Sequence, residues 1–324
     1  MPIRFVLDCD TGSDDAIAIL AAASHPELEA VAITTVGGNV ALEHVTANTL
    51  SVLDLVGAAV PVYAGADRPF LRPDLPIPRD VLNKDGEFQL ARLGFPEPVS
   101  TARAENAVDF LTAFFLDDAN ADVTLVATGP LTNLAVAVTA EPRLAGRIPR
   151  LVVMGGAHAN GNVTAAAEFN FWADPEAAEV VLSAGIPEVV IVPLDATHSA
   201  PLTERDCAEF DAIGSPAAAG AAMLLRHRLA HDQAAAVTAS SPVHDPMCVA
   251  YLVRPDLFTE SVRAFASVET TGDRTVGELL VDTRPWCPEP PNATVALRAS
   301  VEVYREFLRT AFEAADRDAP RKSA

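Results

Sequence analysis

An α/β fold built on an open, mostly parallel, twisted sheet flanked by helices is what this sequence predicts, on three observations. Short β-branched apolar runs alternate with longer helical patterns, as strand–helix–strand crossovers require. Polar residues gather just after those runs, and open parallel sheets place their sites beyond the carboxyl ends of the strands. The first such junction carries four carboxylates within eight residues, Asp8, Asp10, Asp14 and Asp15.

The elements follow in order. Phe5-Val6-Leu7 reads as a strand running into the acidic cluster, and 17–23 is an apolar run long enough for a buried helix. Ser13 suits the N-cap of that helix, with Asp14 and Asp15 in its first turn. A second strand over 28–36 ends in Gly37-Gly38-Asn39, an amphipathic helix covers 40–56, and a short strand lies at 60–63. Residues 66–104 are rich in Pro, Asp and Arg without periodicity, so a mobile lid over the site is expected there. A helix over 105–118 precedes a strand at 123–127. Thr128-Gly129-Pro130-Leu131-Thr132-Asn133 follows, with Pro130 expected in the first position of a helix running to about 139. The strand at 151–154 ends in Gly155-Gly156. Asp174-Pro175 reads as cap and first residue of another helix. A strand over 189–192 ends near Asp195, and Ser215-Pro216 opens a helix to about 230. Beyond His244-Asp245-Pro246 lie β-like runs near 262–269, 277–282 and 293–297, a helix over 300–316 and a frayed tail at 317–324. With no internal repeat, 1–324 is expected to form a single Rossmann-like domain.

Composition narrows the function. The chain has 324 residues, half of them apolar, and no unbroken apolar stretch long enough for a membrane span. No charged-then-apolar leader precedes the first strand. Four scattered cysteines without a CxxC pair make reduced thiols and a cytoplasmic setting the default. The formal net charge of −21 argues against nucleic acid as a partner, because phosphate backbones need basic patches. A neutral small molecule suits this surface better than a polyanion.

Gathered carboxylates repel, so a folded chain needs a reason to assemble them. Helix capping accounts for Asp14 and Asp15 but not for Asp8 and Asp10 beside them. A hard divalent cation accounts for all four, since Ca²⁺ takes six to eight oxygen ligands. The spacing is not that of an EF-hand loop. Asp8-x-Asp10 partly matches haloacid-dehalogenase-type phosphatases, which carry Thr or Val where Gly12 stands.

Four separated pieces meet at one end of the predicted sheet. They are Asp-Cys-Asp-Thr-Gly-Ser-Asp-Asp at 8–15, Thr-Gly-Pro-Leu-Thr-Asn at 128–133, Glu-Phe-Asn at 168–170 and His-Asp-Pro at 244–246. With Val-Met-Gly-Gly at 153–156 and Asp-Pro-Glu-Ala-Ala at 174–178, this arrangement closely resembles the inosine–uridine nucleoside hydrolase family, nearly end to end. The resemblance implies hydrolysis of the N-glycosidic bond of ribonucleosides. It implies a Ca²⁺ held by Asp10, Asp15, the Thr128 carbonyl and Asp245, with Asp10 also the general base on a metal-bound water. Asp14, Asn39, Asn162, Glu168 and Asn170 would hold the ribose hydroxyls, Met154 would touch the sugar, and His244 would sit near the base and assist its departure by protonating it as it leaves. Asp8 would order the loop from behind. A homodimer or homotetramer is implied as well. The chemistry is coherent, because an oxocarbenium-like sugar is stabilised by nearby carboxylates.

The departures lie at the substrate end. Many members have His-Gly where Leu82-Asn83 precedes Lys84-Asp85-Gly86. Members active on pyrimidines tend to carry Tyr where this chain has Arg226-His227-Arg228 and His231. His158, His198, His227 and His231 have no motif support, and His227 and His231 are expected to be solvated. Retention of His244 tilts the expectation toward a broad or pyrimidine-accepting enzyme. Two competing readings are a ribonucleoside-binding protein without turnover and a phosphatase with Asp8 as nucleophile.

Overall fold

The computed structural model describes residues 1–75, 89–234 and 239–318. Its described strands form a nine-stranded sheet in the order β10-β9-β11-β6-β5-β4-β1-β2-β3, with a separate small pair β7-β8. The strands are β1 Ile3–Cys9, β2 Leu28–Thr35, β3 Val62–Ala64, β4 Thr124–Ala127, β5 Leu151–Met154, β6 Val189–Val192, β7 Leu202–Thr203, β8 Ser240–Ser241, β9 Phe258–Val268, β10 Leu279–Asp282 and β11 Ala293–Ala299. From β3 across to β11 all neighbours run parallel, and β9 and β10 then close that edge antiparallel. The sheet is open, as expected.

The helices are α1 Ser13–Ser24, α2 Leu42–Val56, α3 Ala107–Leu116, α4 Thr132–Ala140, α5 Phe169–Ala173, α6 Pro175–Ser183, α7 Leu194–His198, α8 Glu204–Ile213, α9 Pro216–Ala234, α10 Pro246–Val253 and α11 Val301–Asp318. Strand residues alternate between two cores: Phe5, Leu7, Val126 and Val152 face one, and Val6, Leu125, Leu151 and Val153 the other. The first core is filled by α1, α2 and α8–α11, the second by α3, α4 and α6, giving helix–sheet–helix layers. Helix α1 is buried from Ser13 to Ala22 on every side, as its unbroken apolar run from Ala16 to Ala23 requires.

Chain order places the site. The strands progress outward from β1 to β2 and β3, then restart at β4 on the other side and run to β5 and β6. The reversal lies between β1 and β4, and ligands bind at such a switch point. The acidic cluster follows β1, and Thr128 follows β4.

Several local expectations change. Gly12, not Ser13, caps α1, because its N–H donates to Asp15 Oδ2 at 3.0 Å, and Ser13 becomes the first helical residue. Pro130 lies outside α4, which begins at Thr132 after Leu131. Asp174 and Ser215 do cap α6 and α9, accepting the amides of Ala177 and Ala218. Helix α9 runs on to Ala234, and α11 runs to Asp318, two residues into the expected tail. Of the 66–104 segment, residues 76–88, with Leu82 and Lys84-Asp85-Gly86, lie outside the described residues, as do 319–324. Its described flanks are anchored: the Phe70 amide donates to Asp174, Arg72 pairs with Glu176, the Val99 and Ser100 amides donate to Asp54, and the Arg103 amide reaches the Val62 carbonyl. No described helix is long and apolar enough to cross a membrane.

Candidate active site

Asp8, Asp10, Asp14, Asp15, Thr128, Glu168, Asn170, His244 and Asp245 are all buried at the carboxyl end of the sheet. Asp8 lies one residue before the end of β1, in register with Thr34 and Ala127. Its Oδ1 accepts from Thr34 Oγ1 at 2.5 Å and Asn133 Nδ2 at 2.8 Å, while its backbone carbonyl accepts the Thr128 amide. Asp8 therefore ties β1, β2 and β4 together from behind, and burial holds its pKa up at about 6. Its Oδ1 is thus committed to Thr34 and Asn133, and its Oδ2 is buried without a hydrogen-bond partner.

Asp10 lies beyond β1. Its Oδ2 accepts the Asn39 amide at 2.7 Å, and Oδ1 is fully buried with no hydrogen-bond partner. A Cβ on Gly38 would collide with this carboxylate, so the Gly37-Gly38 turn lets the backbone close over it. Burial, and then the charge of Asp15, push the pKa of Asp10 well above the carboxylate range. The Asn39 side chain spans the cluster: Nδ2 reaches the Asp10 carbonyl and Asp15 Oδ2, and Oδ1 accepts from Gln89 at 2.8 Å.

Asp15 Oδ1 accepts from Thr128 Oγ1 at 2.9 Å. Burial, with the neighbouring Asp14 next, lifts its pKa to about 7, and burial lifts Asp245 well above its ordinary value. Carboxylate oxygens of Asp14, Asp15 and Asp245 lie within 4.8 Å of one another and can hold a metal ion. This trio differs from the expected set, because Asp14 stands in it and Asp10 does not. The chemistry of the site fits a hard cation on a separate ground too. Two buried carboxylate oxygens have no donor, Asp8 Oδ2 and Asp10 Oδ1, and such oxygens cost free energy unless something positive meets them.

Glu168 caps α5 and is already engaged: Oε1 accepts the Asn170 amide, and Oε2 accepts the Gly156 and Phe171 amides. Burial raises its pKa to about 7. Asn170 Nδ2 donates to the Thr128 carbonyl at 2.8 Å and the Met154 carbonyl at 3.0 Å. This bond seats the expected carbonyl ligand and the buried Met154 beside the sugar-binding candidates. Asn162 stays apart: it is exposed, and its Oδ1 accepts the Phe169 amide across the 161–169 turn.

His244 shares a 2.8 Å hydrogen bond through Nδ1 with Thr197 Oγ1. Burial, reinforced by the Arg228 charge, pushes its pKa down to about 3. His198, at the end of α7, brings its ring centroid within 5.6 Å of the His244 ring. Sequence reasoning passed over Thr197, His198, Arg228 and Gln89. The rule that sites follow strand ends would have reached Thr197 and His198, five and six residues after β6. His231 is exposed beside Asp232, as expected of a solvated histidine, and His227 is half-buried.

Comparison with known proteins shows the family. Residues 5–306 match the family model described as inosine-uridine preferring nucleoside hydrolase. The pyrimidine-specific ribonucleoside hydrolase RihA of Escherichia coli K12 is 42% identical over 310 residues, covering 95% of this chain and 97% of that protein. Among solved structures, the purine-preferring ribonucleoside hydrolase from Gardnerella vaginalis superposes with a TM-score of 0.88 at 28% identity, covering 98% of this chain and all of that one. A plant nucleoside hydrolase superposes at 0.85 with 28% identity, over 99% and 100% of the two chains. In sequence and in fold alike, the chain belongs to the inosine-uridine preferring nucleoside hydrolase family and is a ribonucleoside hydrolase.

Proposed function

We propose that the chain hydrolyses pyrimidine ribonucleosides to ribose and free base with calcium as its cation. The observation that carries the chemistry is the orphaned Asp10 Oδ1 beside the Asp15–Asp245 cluster. The preference for pyrimidines rests on 42% identity to a protein named pyrimidine-specific, over nearly the whole of both chains. Asp10, Asp15, Asp245 and the Thr128 carbonyl would hold the ion. Calcium in that place would acidify a water and orient the ribose diol. Asp10, fixed through Oδ2 by the Asn39 amide, takes the proton of the attacking water on Oδ1. Asp14, Asn39, Glu168 and Asn170 bind the sugar hydroxyls. For Asn170 the atom left is Oδ1, since Nδ2 is committed. Met154 packs beside the sugar, and Asn162 joins the site only if its turn closes over the substrate. The water oxygen bonds to the anomeric carbon as the C–N bond breaks, and the electron pair leaves with the base.

The depressed pKa of His244 shapes its part. An imidazole held neutral assists departure by donating a hydrogen bond rather than as an imidazolium. With Thr197 donating to Nδ1, Nε2 carries the proton toward the base, and the departing anion is protonated from solvent. His244→Ala is therefore expected to lower kcat/KM for uridine by ~10²-fold, while p-nitrophenyl riboside, whose leaving anion is already stable, changes by less than about threefold. An equal loss on both substrates would reject this role.

The reading as a whole is tested by ribose release from uridine, cytidine, inosine, adenosine and guanosine. Uridine and cytidine are expected to lead, and inosine leading would reject the pyrimidine preference. Tight binding of uridine without ribose release would favour the non-catalytic reading instead. We further propose that the chain works as one domain in a homodimer or homotetramer in the cytoplasm, consistent with its four free cysteines.

A further inference from the structure

Helix α9 buries Ala217, Ala221, Leu224 and Leu225, and the same face carries Arg228, which is 4% exposed. Among the described residues no other lysine or arginine is buried. Its guanidinium reaches three places at once. Nη1 donates to Ser13 Oγ at 3.1 Å and lies 3.2 Å from Asp14 Oδ1, while Nη2 donates to the Pro242 carbonyl at 2.9 Å. Ser13 and Asp14 open α1, and Pro242 stands two residues before His244.

This pairing bears on a choice the geometry leaves open. Asp14 is close enough to Asp15 and Asp245 to ligate an ion with them. Asp14 is also the member of that trio paired with a buried cation, and a carboxylate so neutralised is a poorer cation ligand. Asp10, outside the trio, has a buried oxygen, Oδ1, without a hydrogen-bond partner. We propose that Arg228 is a positioning residue that withholds Asp14 from the cation and presents it to the ribose. Through the Pro242 carbonyl the same guanidinium fixes the turn carrying His244 and Asp245 against α1. The inference rests on the ribohydrolase reading above and assigns one further residue to its sugar-binding half.

The test uses the full-length protein with Arg228→Met, which removes the charge at similar volume, and Arg228→Lys, which keeps it with fewer donor directions. Two quantities are read: calcium affinity of the metal-free protein by calorimetry with the metal alone, and KM against kcat for uridine. For Arg228→Met, KM is expected to rise about tenfold or more with a smaller change in kcat. Calcium is expected to bind as tightly as before or more tightly, since Asp14 is freed to join the ligands. Arg228→Lys falls between it and the parent. Unchanged KM in both variants overturns the proposal. So does calcium binding that weakens in step with KM, which would make Arg228 a support of the metal loop. If Arg228→Met does not fold, Arg228→Lys carries the same two outcomes. Failure of the parent enzyme on every nucleoside would reject the ribohydrolase reading instead, and the calcium titration would still decide whether Arg228 holds Asp14 back.

Discussion

Asp10→Asn is expected to lower kcat for uridine by ~10³-fold or more, within the range general bases contribute, while the protein stays folded. The two carboxylate oxygens of Asp10 do different work. Oδ2 accepts the Asn39 amide, and an asparagine carbonyl oxygen can accept that bond unchanged. The amide nitrogen then replaces Oδ1, the buried oxygen with no donor of its own. The site loses its proton acceptor and gains a donor pointing where a proton must be received. Fold and turn are spared, because Gly38 already packs against a group of this size. The check is kcat together with a thermal melt. A variant that keeps more than about a tenth of parental kcat would assign the base to another residue.

Much of this site could be read before the fold was known, because its carboxylates crowd one strand–helix junction. Electrostatics alone demands a ligand there. The strands were legible because parallel strands buried on both faces are continuous apolar runs. Gly12 and Ser13 were not separable, since both are acceptable caps, and what decided between them was the bond from the Gly12 amide back to Asp15. Pro130 misled for a similar reason: proline suits the first turn of a helix, but it also suits the loop before one. Arg228 left no signal, although its spacing from Ala217, Ala221 and Leu224 puts it on their face. An alanine-rich helix is apolar on nearly every side, so its pattern marks no direction in which a charge would be buried. His198 meets His244 only because β6 ends and α10 begins at the same edge of the sheet. The division of labour between Asp10 and Asp14 depends on a guanidinium more than two hundred residues away, and no local pattern reports that.

Removal of calcium is expected to abolish ribose release and to destabilise the protein in a pH-dependent way, and the sign of that dependence is fixed by the buried carboxyls. Burial holds Asp8 at about 6 and Asp15 and Glu168 at about 7, and it raises Asp10 and Asp245 well above their ordinary value. In the unfolded chain the same groups ionise near about 4. Between those values the unfolded chain has released protons that the metal-free native state still holds. The native state of the metal-free protein therefore loses stability as pH climbs from about 4 through about 7, and it goes on losing stability above that for as long as Asp10 and Asp245 keep their protons. Calcium acts in the opposite sense. Its ligands must be deprotonated, so it binds more tightly as pH rises, and it compensates the charge that makes those carboxylates costly. The gap in melting temperature between calcium-loaded and chelator-treated protein is thus expected to widen from pH 5 to pH 8, reaching roughly 5–10 °C at saturating calcium. Melts at the two pH values, with ribose release followed through chelation and calcium add-back, check both halves. A gap that stays constant or narrows toward pH 8 would mean that the cluster does not hold the ion through these carboxylates. Activity that survives complete chelation would mean that Asp10 needs no cation to activate its water.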